Sequence, residues 1–215
     1  EFIDGQRKTT AEAFEYVEMA LKGKVNGKLV GLINSLGYKA VGLSGKDGQT
    51  VTATKRMHKR QVNGGTEQVD LGQVGDVAKI DPVLISLLLE NEFIPVITCL
   101  ANDEEGNGFN INADTFAGHL AGALRAAQYI VLTDVDGLLK EKDDPASIIR
   151  KINLSETNRL VEEKIIQGGM IPKIESCEIA INKGAGEARI INGTKPEQIK
   201  QLIGDRQVGT TITKS

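Results

Sequence analysis

The feature that most constrains this chain is the alternation of short apolar runs with stretches of helical period. Lys39–Leu43, Ile94–Leu100, Tyr129–Thr133 and Ala188–Ile191 are too short for stable helices and rich in aliphatic and β-branched residues, so they read as buried strands. Thr210–Thr213 reads as a last strand. Helical periodicity fills the stretches between. Thr9-x-x-Glu12 matches a capping box and leads into Phe14, Val17 and Leu21 on one face, with Gly23 as the expected stop. Further helices are predicted over Val25–Leu36, from Asp81–Pro82 to Asn91, and over 112–127, Ser155–Gln167, Pro172–Lys183 and Lys195–Leu202. This alternation predicts an α/β sandwich around a mostly parallel sheet. Thr50–Lys55 and Val74–Ile80 flank Asn63–Gly64–Gly65, which predicts a β-hairpin insertion with Met57–Thr66 as its exposed tip.

Composition excludes several kinds of partner. The 29 acidic and 26 basic residues leave a net charge of −3, with no basic excess for nucleic acid or an anionic membrane. Trp is absent and no apolar run approaches 18 residues. Cys99 and Cys177 lie far apart in apolar patterns and read as reduced core thiols of a cytoplasmic protein. The two histidines, His58 and His119, have no partner at metal-ligand spacing. Neither a Gly-x-Ser-x-Gly elbow nor a Walker A loop is present.

Open parallel sheets bind ligands beyond the carboxyl ends of their strands. Four polar clusters fall at such places: Ser44–Gly48, Asn110–Asp114, Thr133–Gly137 and Gly168–Gly169 before Lys173. In the second, Asn112 is the expected N-cap of a helix, with Asn110 and Asp114 on either side. An ordinary capped helix reads as well there as an anion-handling site. In the fourth, two glycines at a helix start form a phosphate cradle that a lysine one turn in can reach across. A solvated helix start is the competing reading.

The motifs Asp4–Gly5–Gln6–Arg7, Ala40–Val41–Gly42–Leu43–Ser44–Gly45, Gly72–Gln73–Val74–Gly75–Asp76, Asn110–Ile111–Asn112–Ala113–Asp114, Leu132–Thr133–Asp134–Val135–Asp136–Gly137, Gly168–Gly169–Met170–Ile171–Pro172–Lys173 and Gly209–Thr210–Thr211–Ile212 occur in that order. As an ordered set they resemble the amino-acid-kinase family, on its acetylglutamate-phosphorylating branch. The resemblance implies a three-layer αβα sandwich forming one domain over 1–215. About 1–110 would be the acid-substrate side and about 111–215 the nucleotide side. It implies transfer of the γ-phosphate of ATP, with Mg²⁺ bound through the nucleotide, to the γ-carboxylate of N-acetyl-L-glutamate. A sister kinase of another acidic substrate, such as an aminoadipate derivative, and a non-catalytic regulatory module are the alternatives. Residue by residue, the resemblance implies Lys173 and Asp114 as catalytic, and Arg7 and Asn110 as substrate-binding. It implies Thr133, Asp134, Val135, Asp136, Gly137, Leu138, Leu139, Ile165, Ile166, Gln167, Gly169 and Met170 as nucleotide-binding. A homodimer or higher homo-oligomer is implied too. The family's Lys-x-Gly-Gly and His-Gly-Gly-Gly motifs are missing ahead of Glu1, so the expectation is a chain that opens inside a longer protein, about 60 residues in at roughly 30 per βα unit.

Overall fold

The computed structural model describes residues 2–3, 6–62, 65–141, 144–204 and 207–215, with the side chains of residues 2, 3, 6, 7 and 61 outside the description. The chain divides into two compact units, Glu1–Phe116 and Ala117–Ser215.

The first unit opens with a two-residue pair, β1 (Phe2–Ile3) and β2 (Gln6–Arg7). A single helical run follows: α1 (Ala11–Glu18), a π-helical segment (Met19–Asn26) and α2 (Gly27–Ser35). Two expectations are corrected here. The cap is Thr10, whose hydroxyl accepts from Ala13 N at 3.1 Å; Thr9 is instead a buried bridge to Gly72. Gly23 does not stop the helix. One interior glycine costs only about 1 kcal/mol, and the wide turn is held by side chains on either side of it. Lys22 Nζ donates to Gly42 O at 2.9 Å, and Asn26 Nδ2 donates to Val96 O at 2.7 Å.

β3 (Ala40–Ser44) pairs in parallel with β6 (Ile94–Thr98), so both are strands as expected, but β6 is only half-buried and Ile94 is exposed rather than buried. Between them lie β4 (Val51–Val62), β5 (Gly65–Ile80) and α3 (Val83–Glu90). The hairpin is much longer than its apolar alternation suggests, pairing from Val51↔Ile80 to Val62↔Gly65. Met57–Thr66 is therefore mostly strand rather than tip. The outer rungs carry charge, such as Lys59↔Gln68 and Arg60↔Glu67, and cross-strand polar pairs stabilise a ladder without an apolar face. Asp81 Oδ1 accepts from Val83 N at 3.0 Å, so α3 starts just after Pro82. β7 (Leu100–Asn102) and β8 (Gly108–Ile111) close a small barrel in the order β4-β5-β8-β7. Leu71, Leu100, Ala101, Phe109 and Ile111 are buried there. α4 (Ala113–Ala123) begins in this unit and runs into the next.

The second unit follows the sequence reading except that the helix expected over Ser155–Gln167 ends at Glu162 and the short strand Lys151–Asn153 was not expected. β9 (Gln128–Thr133), β10 (Lys151–Asn153), α5 (Leu154–Glu162), α6 (Met170–Asn182), β11 (Glu187–Asn192), α7 (Pro196–Ile203) and β12 (Thr210–Thr213) build a four-stranded sheet in the order β10-β12-β11-β9. β9/β11 and β10/β12 are parallel; β11/β12 is antiparallel. Its core gathers Val131, Ile174, Cys177, Ala188, Ile190 and Ile212, all at most 4% exposed. Cys99 and Cys177 are free thiols.

Candidate active site

The second unit holds a pocket of about 760 Å³, within the range of small-molecule sites. One wall is the end of β9 and the segment after it: Thr133, Asp134, Val135, Gly137, Leu138 and Leu139 line it. The facing wall is the turn between α5 and α6, with Ile165, Ile166, Gln167, Gly169, Met170 and Lys173. β9 and β11 run parallel, so their carboxyl ends meet on one side, as at ligand sites of parallel sheets. Of the twelve residues expected at a nucleotide, eleven line this one pocket, with Lys173 beside them. Asp136 is the exception. Its carboxylate accepts from Lys195 Nζ at 2.7 Å, Gln198 Nε2 at 2.8 Å and Asn192 Nδ2 at 2.9 Å. Lys195 foremost, then Asn192, holds that carboxyl below the usual range.

The α5–α6 turn is built by local hydrogen bonds. Leu160 O accepts from both Ile165 N and Ile166 N at the end of α5. Gly168 then takes φ +56°, a left-handed conformation natural to glycine. Met170 N and Ile171 N donate to Gln167 O and Gly168 O, each at 3.2 Å, and Pro172 has no N–H. The helix start thus offers fewer amides than the expected cradle, because its first turn tightens on itself. The half-buried Lys173, lining the pocket from that first turn, is a cation where the amides are engaged. Gly168, the first glycine of the expected cradle, also lines the pocket; Lys140 and Lys164 do so too and were missed by sequence reasoning, although each adjoins a segment that it named. Lys164 adopts φ +57°, uncommon for a residue with a side chain.

The first unit presents the other expected groups. Asn110 sits on β8, between Val74 of β5 and Leu100 of β7. Asn112 Oδ1 accepts from Thr115 N at 3.0 Å, so the predicted N-cap is present. Asp114 lies half-buried in the first turn of α4, at the positive end of the helix dipole. The side chain of Arg7 lies outside the described residues. In the Ser44–Gly48 turn, Asp47 Oδ2 accepts from Ser44 N at 2.6 Å, Ser44 Oγ at 2.9 Å and Lys22 Nζ at 2.9 Å. Burial pushes the Asp47 carboxyl up, but Lys22 and the two Ser44 donors together outweigh it and leave it lowered.

The sequence model described as the amino acid kinase family matches residues 2–192. The chain belongs to the amino acid kinase family. Among family members, an acetylglutamate kinase of Methanothrix thermoacetophila is 45% identical over 214 residues, covering 99% of this chain and 73% of the relative. One from Methanococcus vannielii is 42% identical over 215 residues, covering 100% of this chain and 73% of the relative. Among solved structures, N-acetylglutamate synthase from Neisseria gonorrhoeae, complexed with coenzyme A and N-acetyl-glutamate, superposes with a TM-score of 0.79 at 22% identity. That match covers 100% of this chain and 47% of the synthase chain, a likeness of fold alone. The amino acid kinase fold accounts for the parallel pairs β3/β6, β9/β11 and β10/β12, whose strands are linked through helices.

Proposed function

We propose that this chain carries the phosphotransfer of an acetylglutamate kinase, from the γ-phosphate of ATP to the γ-carboxylate of N-acetyl-L-glutamate. The observation that carries the proposal is identity of 40–45% to acetylglutamate kinases across essentially the whole chain. The pocket after β9 supports its nucleotide half. Adenine and ribose present apolar faces and a few polar edges, which Val135, Leu138, Leu139, Ile165 and Ile166 can pack against. Lys173 stands where negative charge on the phosphates would gather.

Phosphoryl transfer is mostly positioning and charge stabilisation. Lys173 stabilises charge spread over the equatorial oxygens of the transferring group, most of all in the transition state. Asp114 is the orienting carboxylate at the start of α4. Asn110 donates from its amide to the acid substrate, and Arg7 supplies a bidentate fork for a carboxylate. Among the described residues no group of three or more His, Cys, Asp or Glu side chains is placed to hold a metal ion. Magnesium would enter with the nucleotide, where it would neutralise phosphate charge. The protein acts as a homodimer or higher homo-oligomer in the cytoplasm. No helix among the described residues is long and apolar enough to cross a membrane.

A coupled assay of ADP release, run on the full protein with N-acetylglutamate, with N-acetyl-aminoadipate and with neither acid, tests this reading. ADP release dependent on N-acetylglutamate supports it. Preference for the longer acid would transfer the protein to a sister activity, and absence of acid-dependent release would overturn the kinase assignment.

A further inference from the structure

The pocket's first wall is held by two side chains that do not line it. At one end Asp136 binds Asn192, Lys195 and Gln198, which belong to the end of β11 and the start of α7. Asn192 is buried, and its amide nitrogen also donates to Asp134 O at 3.2 Å. Gly193 N donates to Thr133 O at 2.8 Å beside it. At the other end the fully buried Thr210 hydroxyl accepts from Leu138 N at 2.8 Å and donates to Ile149 O at 2.6 Å. Gly137 fits against that hydroxyl: at φ +142°, a Cβ there would stand 2.7 Å from Thr210 Oγ1. Gly209, at φ +68°, lets β12 approach β11, where a Cβ would meet Ile190 O at 2.1 Å. The Gly209–Thr210 motif thereby acquires a task that the sequence alone did not give it.

We propose that Asp136 and Thr210 are positioning residues for the nucleotide, fixing the segment Thr133–Leu139 in its binding shape before the nucleotide arrives. The proposal rests on reading this pocket as the nucleotide site. A wall already ordered spares the ligand the entropic cost of ordering it, so the effect belongs in nucleotide affinity rather than in acid affinity. Two independent ties also explain why one loop can expose Thr133, Asp134 and Val135 to the pocket while Asp136 faces other partners.

The test titrates the full protein with ADP by calorimetry, and records Tm and KM for both substrates on the same preparations. Thr210→Val keeps the shape and removes the hydroxyl; it should raise the Kd for ADP by about tenfold, the size of one hydrogen bond's loss. Thr210→Ser should restore the wild-type Kd. Asp136→Ala should raise the Kd for ADP and the KM for ATP several-fold, by roughly the same reasoning, with the KM for the acid unchanged. Lowered Tm with an unchanged Kd for ADP in both Thr210→Val and Asp136→Ala would overturn the positioning role while leaving the pocket assignment intact. If Thr210→Val does not fold, Asp136→Ala decides by the same comparison, since its carboxylate is not a core group. Failure of the wild-type protein to bind ADP would overturn the pocket assignment, and the positioning role with it.

Discussion

The two units solve the problem of presenting polar groups in different ways. In the second, the candidate nucleotide residues come from two contiguous segments, 133–139 and 165–173, because one end of a parallel sheet gathers its loops. In the first, Asn110 is a strand residue of a small barrel, and Asp114 follows it on a helix start. Arg7 is separated from both by about a hundred positions of sequence. Asn110 and Asp114 still read as one short motif; what no local motif supplies is their relation to Arg7, about a hundred positions away. The comparison teaches that the first kind of site tolerates local reasoning and the second requires the fold.

That difference gives the experiments an order. The largest effect is expected in the second unit, at Lys173. A fixed cation acting mainly on transition-state charge typically accounts for about 2.7–4 kcal/mol, or 10²–10³ in kcat. Lys173→Ala should lower kcat by about that factor with a smaller change in KM for ATP. Lys173→Arg should recover only part of the loss, because a planar guanidinium does not replace a point charge. Unchanged turnover with a stability shift within about 0.5 kcal/mol would make Lys173 an ordinary helix-start lysine.

A smaller effect is expected at Asp114. Asp114→Asn keeps shape and the N-terminal position but removes the charge. Hydrogen bonds to charged groups are worth about 1.5–3 kcal/mol, so kcat should fall by roughly 10- to 100-fold while both substrates still bind. Normal turnover would reduce Asp114 to a favourable charge at a helix N-terminus, the reading that its sequence context always allowed. Asn110→Ala should act on KM for the acid by about tenfold, one neutral hydrogen bond, and leave KM for ATP alone. An equal rise in both would remove the division of labour between the units.

The legibility of the fold follows the same line. β9, β11 and β12 fall within a residue or so of their expected bounds because β-branched and aliphatic residues dominate them, although Ile130 and Leu132 of β9 are exposed rather than buried as expected. β7, β8 and β10 were missed: three or four residues carry too little pattern to announce a strand. Gly23 misled because its helix is held by tertiary bonds from Lys22 and Asn26 to β3 and β6, which no local propensity encodes. The outer hairpin misled because its rungs are polar on both faces. At the pocket, what stayed hidden was whether a loop residue faces the ligand or the scaffold: Asp136 lies between Val135 and Gly137, which do line the pocket.

The smallest expected effect compares the units through the two carboxylates that tie their loops. Asp47 joins Ser44 and Lys22 in the first; Asp136 joins Lys195, Asn192 and Gln198 in the second. Both carboxyls titrate below their ordinary value in the folded protein. A lowered folded pKa means that the unfolded chain binds protons first as pH drops. Each carboxylate therefore contributes stability that is fully present above the unfolded value, about 3.9, and that disappears as pH falls through the lowered folded value. Both ion pairs are partly open to solvent, with side-chain exposures of 31% and 40% for Lys22–Asp47 and 51% and 34% for Lys195–Asp136. Screening holds each to about 1 kcal/mol at most, which corresponds to about 2–4 °C in Tm for a chain of this size. Asp47→Asn and Asp136→Asn should each melt below wild type by up to that interval at pH 7; the gap should begin to narrow as pH falls below about 4 and close only once pH has dropped through the lowered folded values, where the wild-type carboxyls are neutral too. Lys195 is the more exposed cation, so raising the salt concentration should narrow the Asp136→Asn gap more than the Asp47→Asn gap. A gap that widens in acid would reverse the sign of the linkage, and equal salt sensitivity would mean that the two ties are not as different as their burial makes them.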